Sequence, residues 1–449
     1  MSYKIEKDFF IKKSIKDIGN LIHKKELSID LIFSNLLEKI ELSKKYNYLC
    51  KYDQKKLSEK FSKLKNTLKE KKLSGCFYLA KDIFNTKDFS TEMGSKIWKN
   101  FEPGNNARSI DDIEYDGGFL LGKTTTAEFA VHYPNNCLNP RNVHHLVGTS
   151  SSGSAAAIAL GISSFALATQ SAGSISRPAS YCGVIGVKPS FGSIPRTGVL
   201  KTCDTLDTIG FMTGNFQNCK SILNSIAVQG SNYPYNLSLS YEKKERDLKK
   251  IKIGFVKTHA WNNLKNYTKK SILNFIDKIS EELKIKVNLI DWDNELSKIH
   301  KFHSNIYHKS LSYYFKREKK IGHSISQVMK KIIKEGDAIN NNKYFEGIDF
   351  QNRQINKIDN LFDDFDLIIA PATVGEAPKI NEEEVDDASL IWTFLHTPSI
   401  FYPMFLGPNN LPFGLHFVCK RKQDYRLINA INYLIEKNIL SSKISQAKI

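Results

Sequence analysis

Hydroxyl-bearing and small side chains crowd one stretch of this chain: residues 148–189 read GTSSSGSAAAIALGISSFALATQSAGSISRPASYCGVIGVKP. A serine attacks a carbonyl only when a neighbouring group takes its proton, and the oxyanion that follows needs backbone N–H groups that no bulky side chain shields. Turns made of Ser, Gly and Ala supply both, so acyl transfer is the chemistry this stretch suits. The letters exclude two other sites. Gly148 and Gly153 have the spacing of a phosphate-binding loop, but Ser154 follows where that loop requires Lys. A G-x-S-x-G elbow centred on Ser150 would need Gly at position 152, which is Ser152. Composition alone leaves an ordinary flexible, serine-rich loop as the alternative.

Order and spacing carry more than composition. Gly148-Thr149-Ser150-Ser151-Ser152-Gly153-Ser154 is followed by Gln170-Ser171-Ala172-Gly173-Ser174-Ile175-Ser176-Arg177-Pro178-Ala179 and then by the segment Gly183 to Pro189. This succession resembles the hallmark of the amidase signature family, which runs G-G-S-S-G-G-S, then D-T-G-G-S-I-R with P-A, then G-x-x-G-x-K-P. Upstream, Ala80-Lys81-Asp82 with Thr91 and Gly94-Ser95 is similar to the family's V-K-D segment. Gly122-Lys123-Thr124, Glu128-Phe129-Ala130 and Asn139-Pro140 are similar to its G-K-T-N, E-F-A and N-P elements. Downstream, Leu206-Asp207-Thr208-Ile209-Gly210, Ala370-Pro371-Ala372-Thr373 and Leu411-Pro412-Phe413-Gly414-Leu415 also have counterparts, so the resemblance spans Gly75 to about Val418.

What the resemblance implies is an amidase that cleaves a carbon–nitrogen amide bond through a serine acyl-enzyme. Ser174 takes the nucleophile's position, Ser150 that of a bridging serine held by a cis peptide, and Lys81 that of the general base. The oxyanion hole falls to the N–H groups of Ser171, Ala172, Gly173 and Ser174, with Ser151, Ser152, Gln170 and Arg177 as supporting residues. A lysine accepts a proton only when uncharged, so burial must bring its pKa down from about 10.4 toward the working pH. The apolar run Cys76 to Ala80, directly before Lys81, is compatible with that. Taken singly, the same residues have plainer explanations: an exposed lysine for Lys81, a turn hydroxyl for Ser174 and a helix-capping hydroxyl for Ser150.

The chain departs from the hallmark in two places. Gln170 stands where much of the family has Asp, and Ser176-Arg177-Pro178 displaces the arginine by one position. These departures set the chain apart from the usual glutamine-hydrolysing subunit of the tRNA-dependent amidotransferases and are similar to a branch of broad amidases. The expectation is an acylamide amidohydrolase acting on linear amides. That amidotransferase subunit, or an amide-forming acyltransferase, are the alternatives, because spacing does not tell whether water or an amine resolves the ester. The partner expected is a small amide; nucleic acid would enter only with a tRNA-dependent amidotransferase, and a homodimer stays open. No cofactor is expected, and no metal, since His144-His145, His303 and His308 form no H-E-x-x-H or other ligand spacing. A Ser-His-Asp triad using His132 or His144 has no motif behind it. Aromatics such as Phe302, Tyr307 and Tyr314 read as core, while in the family the helical insertion after the hallmark shapes the acyl pocket, to which Trp392 to Phe405 could add.

These residues need a frame to hold them. From Ile11 to about Glu70, apolar residues recur at helical spacing (Ile15, Ile18, Leu21, Ile22; then Leu31, Leu36, Leu37, Ile40), which predicts helices over the outside of the fold. The pattern changes at Gly75, and the short apolar runs Cys76–Ala80, Gly118–Leu121, Phe165–Thr169 and Val184–Val187 predict buried strands. A helix is predicted over Ser154–Leu160, then strands over Ile251–Val256, Leu367–Ala370 and Phe413–Val418 and helices over Lys269–Leu283, His303–Ile333 and Asp424–Glu436. The fold class is α/β: a single large α/β/α domain over residues 1–449 with a mixed central sheet covered by helices, comprising N-terminal helices (1–70), a signature core (75–215) and a helical insertion (260–360). A chain of 449 residues, 41% hydrophobic, can bury such a core. The net charge of +18 comes from lysines scattered in pairs such as Lys44-Lys45 and Lys330-Lys331, the signature of solvated faces rather than a nucleic-acid stripe. Seven cysteines without a C-x-x-C pair suit a reducing compartment, and the absence of a signal-like N-terminus or of about 18 consecutive apolar residues points to a cytoplasmic protein without membrane contact.

Overall fold

Strands form where the apolar runs predict them, and they join into one sheet. The computed structural model describes residues 5–69, 71–228, 230, 233, 248–321, 324–384 and 388–447; residues 1–4 and 70 of the expected N-terminal helical segment, and 448–449 of the expected domain, lie outside the described residues. Among the described residues the strands are β1 (Leu49–Lys51), β2 (Phe77–Lys81), β3 (Phe119–Thr124), β4 (Phe165–Gln170), β5 (Ile185–Lys188), β6 (Thr208–Thr213), β7 (Ile253–Val256), β8 (Asn288–Ile290), β9 (Leu367–Pro371), β10 (Ser399–Leu406) and β11 (Pro412–Val418). They lie in the order β1-β3-β2-β4-β6-β5-β10-β11-β9-β7-β8. β2 runs parallel to β3 and β4, and β7 parallel to β8 and β9, while the remaining neighbours are antiparallel. The sheet is therefore mixed and flanked by helices. β2, β3 and β4 are buried along their whole length, which is why they read as continuous apolar runs without alternation.

The N-terminal periodicity corresponds to helices Ile15–His23, Ile29–Ser43 and Gln54–Leu68. Ser14 and Asp17 form a capping box at the first, and Ile15, Ile18 and Ile22 make its buried face. Four phenylalanines fasten these helices to the sheet. Phe33 stacks on Phe61 at 4.0 Å, and the pair meets Phe77 and Phe119, at the starts of β2 and β3, at 5.8–6.2 Å. Within the stretch that reads as helical, β1 is an unforeseen edge strand, paired with β3 through Leu49↔Thr124 and Lys51↔Lys123. β6, β8, β10 and the helix Asn341–Leu361 are likewise additions. The helix expected over His303–Ile333 is corrected to three pieces, Asp293–Tyr314, Lys316–Ile321 and Gln327–Ala338. Phe315 leaves helical geometry at φ −102°, ψ 24°. Ser326 then starts a new helix by accepting a hydrogen bond from Met329 N at 3.1 Å.

Parallel pairing brings the C-terminal ends of β2, β3 and β4 to one edge, where Lys81 lies opposite Thr124 and Ala80 opposite Leu167. Ligand sites in such sheets lie outside the carboxyl ends of the strands. An ion pair with no access to water braces this edge: Lys123 Nζ sits 3.0 Å from Asp82 Oδ1, the two side chains being 0% and 3% exposed. Asp82→Ala leaves the lysine without its counter-charge, and urea denaturation is expected to show a loss of about 3 kcal/mol.

Candidate active site

Lys81 ends β2 with its side chain fully buried. Its Nζ lies 2.8 Å from Ser150 Oγ, 3.0 Å from Ser151 Oγ and 3.2 Å from Thr169 Oγ1. Among the described residues no carboxylate pairs with it. Burial brings its pKa down to about 7, with Asp207 acting in the opposite sense. Two other lysines set this one apart. Lys123, equally buried, faces Asp82. Lys188 is also buried and lowered to about 7, but it donates to the carbonyls of Pro189 and Thr397, which have no proton to exchange.

The peptide between Thr149 and Ser150 is cis. The Ser150 carbonyl accepts from Ala127 N and Thr126 Oγ1, both at 3.2 Å, which ties the loop to the segment after β3. Helix Ser152–Ala159 begins two residues later with Ser151 at its N-cap and no side-chain cap, so Ser150 is not a capping hydroxyl. Ser152 turns away from the lysine, donating to Thr125 O at 3.3 Å and accepting from Asn135 Nδ2 at 2.8 Å. Gly153 allows the helix to start against neighbouring backbone: a Cβ there would stand 2.4 Å from Tyr48 O and 2.5 Å from Thr125 N.

β4 ends at Gln170, and the chain turns through 171–175 into helix Ser176–Cys182, with Ser174 in the turn and 7% exposed. Two carbonyls of this turn are held by remote side chains and a third by the helix that follows. Ser171 O accepts from His303 Nε2 at 2.8 Å, Ala172 O from Thr393 Oγ1 at 2.8 Å and Gly173 O from Arg177 N at 2.9 Å. Burial lowers the His303 pKa to about 4, so the ring is neutral and its Nε2–H is the donor. Among the described residues, the N–H groups of Ala172, Gly173 and Ser174 find no acceptor. Ser171 Oγ donates to Asp207 Oδ1 at 2.6 Å. Gln170 Oε1 accepts from Ile175 N at 2.8 Å and from Ser176 N at 3.0 Å.

Arg177, almost fully buried, donates from Nη1 to Glu384 Oε2 at 2.6 Å and to His132 Nδ1 at 2.9 Å. Glu384 also accepts from Thr149 Oγ1 at 3.2 Å, so the arginine anchors the residue before Ser150. His132 Nδ1 is thereby engaged with Arg177, and His144 is exposed on a loop. A cavity of about 30 Å³ reaches Thr169, a hydroxyl neighbour of the lysine, and is walled by Ile83, Ala130 and Ile209 with Ser171 and Asp207 on its polar side. It has room for one water-sized group. A separate cleft of about 840 Å³, lined by Arg108, Asp112, Tyr115, Lys220, Asn224 and Tyr425, contains none of these residues.

The structure thus brings Lys81, Ser150 and Ser151 into contact and places Gln170 to Ser174 at the same sheet edge. Ser152 serves the loop instead. Sequence reasoning missed Thr169, Asp207, His303 and Thr393. Thr169 carries a local signal, as a hydroxyl ending an apolar strand beside the hallmark, whereas His303 and Thr393 reach the turn from 132 and 221 residues away.

Known proteins share the sequence and fold of this chain. The glutamyl-tRNA(Gln) amidotransferase A-subunit of Caldanaerobacter subterraneus subsp. tengcongensis is 27% identical over 476 residues, covering 94% of this chain and 96% of its own. Among solved structures, native peptide amidase from Stenotrophomonas maltophilia superposes with a TM-score of 0.80 at 20% identity, covering 97% of this chain and 99% of its own. The glutamyl-tRNA(Gln) amidotransferase A-subunit from Thermotoga maritima gives 0.79 at 20% identity over the whole of both chains. The mixed sheet between helices is shared with both solved structures. With the Amidase family model matching residues 32–428, the chain belongs to the amidase signature family, whose chemistry is amide hydrolysis.

Proposed function

We propose that this protein is an amidase that hydrolyses the carbon–nitrogen bond of a small linear amide through an acyl ester on Ser174, with Lys81 and Ser150 as proton relay. The observation that carries the reading is the surrounding of Lys81: complete burial, three hydroxyl neighbours and no acid partner among the described residues. A neutral amine has two N–H donors and one lone pair. Ser151 already donates to Thr169 O at 3.3 Å, so it accepts from Nζ. Ser150, the nearest hydroxyl at 2.8 Å, lies within reach of the lone pair of the neutral amine.

In the reaction, Ser174 Oγ attacks the amide carbon as its proton passes to Ser150, whose own proton passes to Lys81. The oxyanion faces the N–H groups of the turn Ser171 to Ser174, of which those of Ala172, Gly173 and Ser174 are unengaged among the described residues. Lys81 returns the proton through Ser150 to the leaving nitrogen, the C–N bond breaks and the amine departs. Water then attacks the ester, giving its proton to the relay, and Ser174 recovers a proton as the acid leaves. Arg177 and Glu384 keep the Ser150 loop in register, and Gln170 does the same for the nucleophile's turn.

A glutamine-hydrolysing amidotransferase subunit is the second reading, favoured by the likeness to such a subunit over 96% of its length. Ammonia release from glutamine, asparagine, aliphatic and aromatic primary amides separates the two. Activity on several amides supports a free amidase, glutamine alone supports the amidotransferase reading, and silence on every amide contradicts the hydrolytic one. Ser174→Ala is expected to reduce release to background. For the wild type, kcat/KM is expected to fall as pH drops through about 7, because the ammonium form of Lys81 has no lone pair, and to level off above it. Lys81→Met is expected to lower kcat by about 10³-fold and to abolish that acid limb.

A further inference from the structure

The geometry points to Gln170 and Thr393 as a pair of positioning residues that orient the Gly173 N–H, by dictating which way a single hydroxyl proton points. The inference rests on Ser174 being the nucleophile, so that Gly173 N–H faces the oxyanion.

Gln170 is fully buried, and its neighbours decide which end of its amide is oxygen. One end receives the backbone N–H of Ile175 at 2.8 Å and of Ser176 at 3.0 Å, with Ser176 Oγ at 3.2 Å. A backbone N–H only donates, so this end is the oxygen and the other is the NH₂. That NH₂ lies 2.9 Å from Thr393 Oγ1. The threonine oxygen therefore accepts from Gln170, and its one proton is free for its other neighbour, the Ala172 carbonyl at 2.8 Å. A carbonyl only accepts, so the proton has a single destination. Across a trans peptide the N–H points opposite to the C=O, and holding Ala172 O on the Thr393 side turns Gly173 N–H to the other side, where no protein acceptor meets it among the described residues.

A carboxylate at position 170 would keep the bonds to Ile175 and Ser176 but reverse the far end. It would accept the Thr393 proton, and the hydroxyl would then present only lone pairs to Ala172 O. An amide is required at 170 because the threonine must donate. Thr393 belongs to helix Ser389–Phe394, so a remote segment sets the direction of an N–H next to the nucleophile.

The test uses full-length protein and a primary amide that wild type hydrolyses and Ser174→Ala does not; retention of turnover by Ser174→Ala would sink the parent reading and leave no oxyanion site to orient. With that established, Thr393→Val and Gln170→Glu are each expected to lower kcat by about 10- to 100-fold with KM changed less than about threefold, because a misdirected oxyanion donor weakens the transition state and not substrate binding. Thr393→Ser, which keeps the hydroxyl, is expected to stay within about threefold of wild type. Thermal melting monitors folding, and if Thr393→Val does not fold, the near-isosteric Gln170→Glu decides. Wild-type kcat in Gln170→Glu, a loss confined to KM, or a Thr393→Ser variant as impaired as Thr393→Val would overturn the inference.

Discussion

An ammonium group moved out of water loses several kcal/mol of hydration, and it is tolerated inside a protein only beside a counter-charge or after giving up its proton. Lys81 has no carboxylate paired with it among the described residues, and burial draws its pKa down to about 7. It lies at the end of a strand enclosed by strands on either side, and the acid next to it in sequence, Asp82, is taken by Lys123. Two buried lysines on adjacent strands thereby end in opposite states. One is paired and braces the sheet edge, and the other is surrounded by hydroxyls. The phenylalanine cluster that docks the N-terminal helices on β2 and β3 contributes by keeping water from the base of these strands.

The turn that carries Ser174 depends on the opposite kind of constraint. Its side chains are mostly small, and apart from the Ser171–Asp207 bond its backbone is held by groups outside it, through the carbonyls of Ser171 and Ala172 and the N–H of Ile175. The helix Asp293–Tyr314 supplies His303, and helix Ser389–Phe394 supplies Thr393. Further contacts keep these segments in place: Gln351 Nε2 donates to Phe394 O at 3.0 Å, and Tyr314 OH donates to Asp204 Oδ2 near the Ser171–Asp207 bond. The region after the hallmark segment is thus mechanically part of the site, although none of its residues takes up a proton from Ser174 in the proposed relay.

How much of this could be read in advance follows from what is local. β2, β4 and β5, with helix Asp424–Glu436, are apolar runs or periodic faces and appear close to where the pattern predicts them. Lys81, Ser150 and Ser174 stand out through ordered motifs, and Lys81 and Ser150 are in direct contact. What escaped is non-local. β1 and β8 are three-residue edge strands too short to show alternation, and β10 lies in a stretch whose strand character comes from pairing with both β5 and β11. The roles of His303 and Thr393 are not legible in the sequence because their partners are carbonyls, which leave no trace in side-chain spacing. Ser151 and Ser152, adjacent and identical in type, diverge only because the helix start directs one toward Lys81 and the other toward Thr125 O.

The proposed relay depends on the charge of one amine. Protein labelled with ¹⁵N-lysine, its Lys81 signal identified by its disappearance in Lys81→Met, can be titrated by NMR through the side-chain nitrogen. A midpoint near 7 is the predicted result. A midpoint close to the ordinary lysine value of about 10.4 would mean that Lys81 stays protonated at neutral pH and cannot serve as the base, which would contradict the relay.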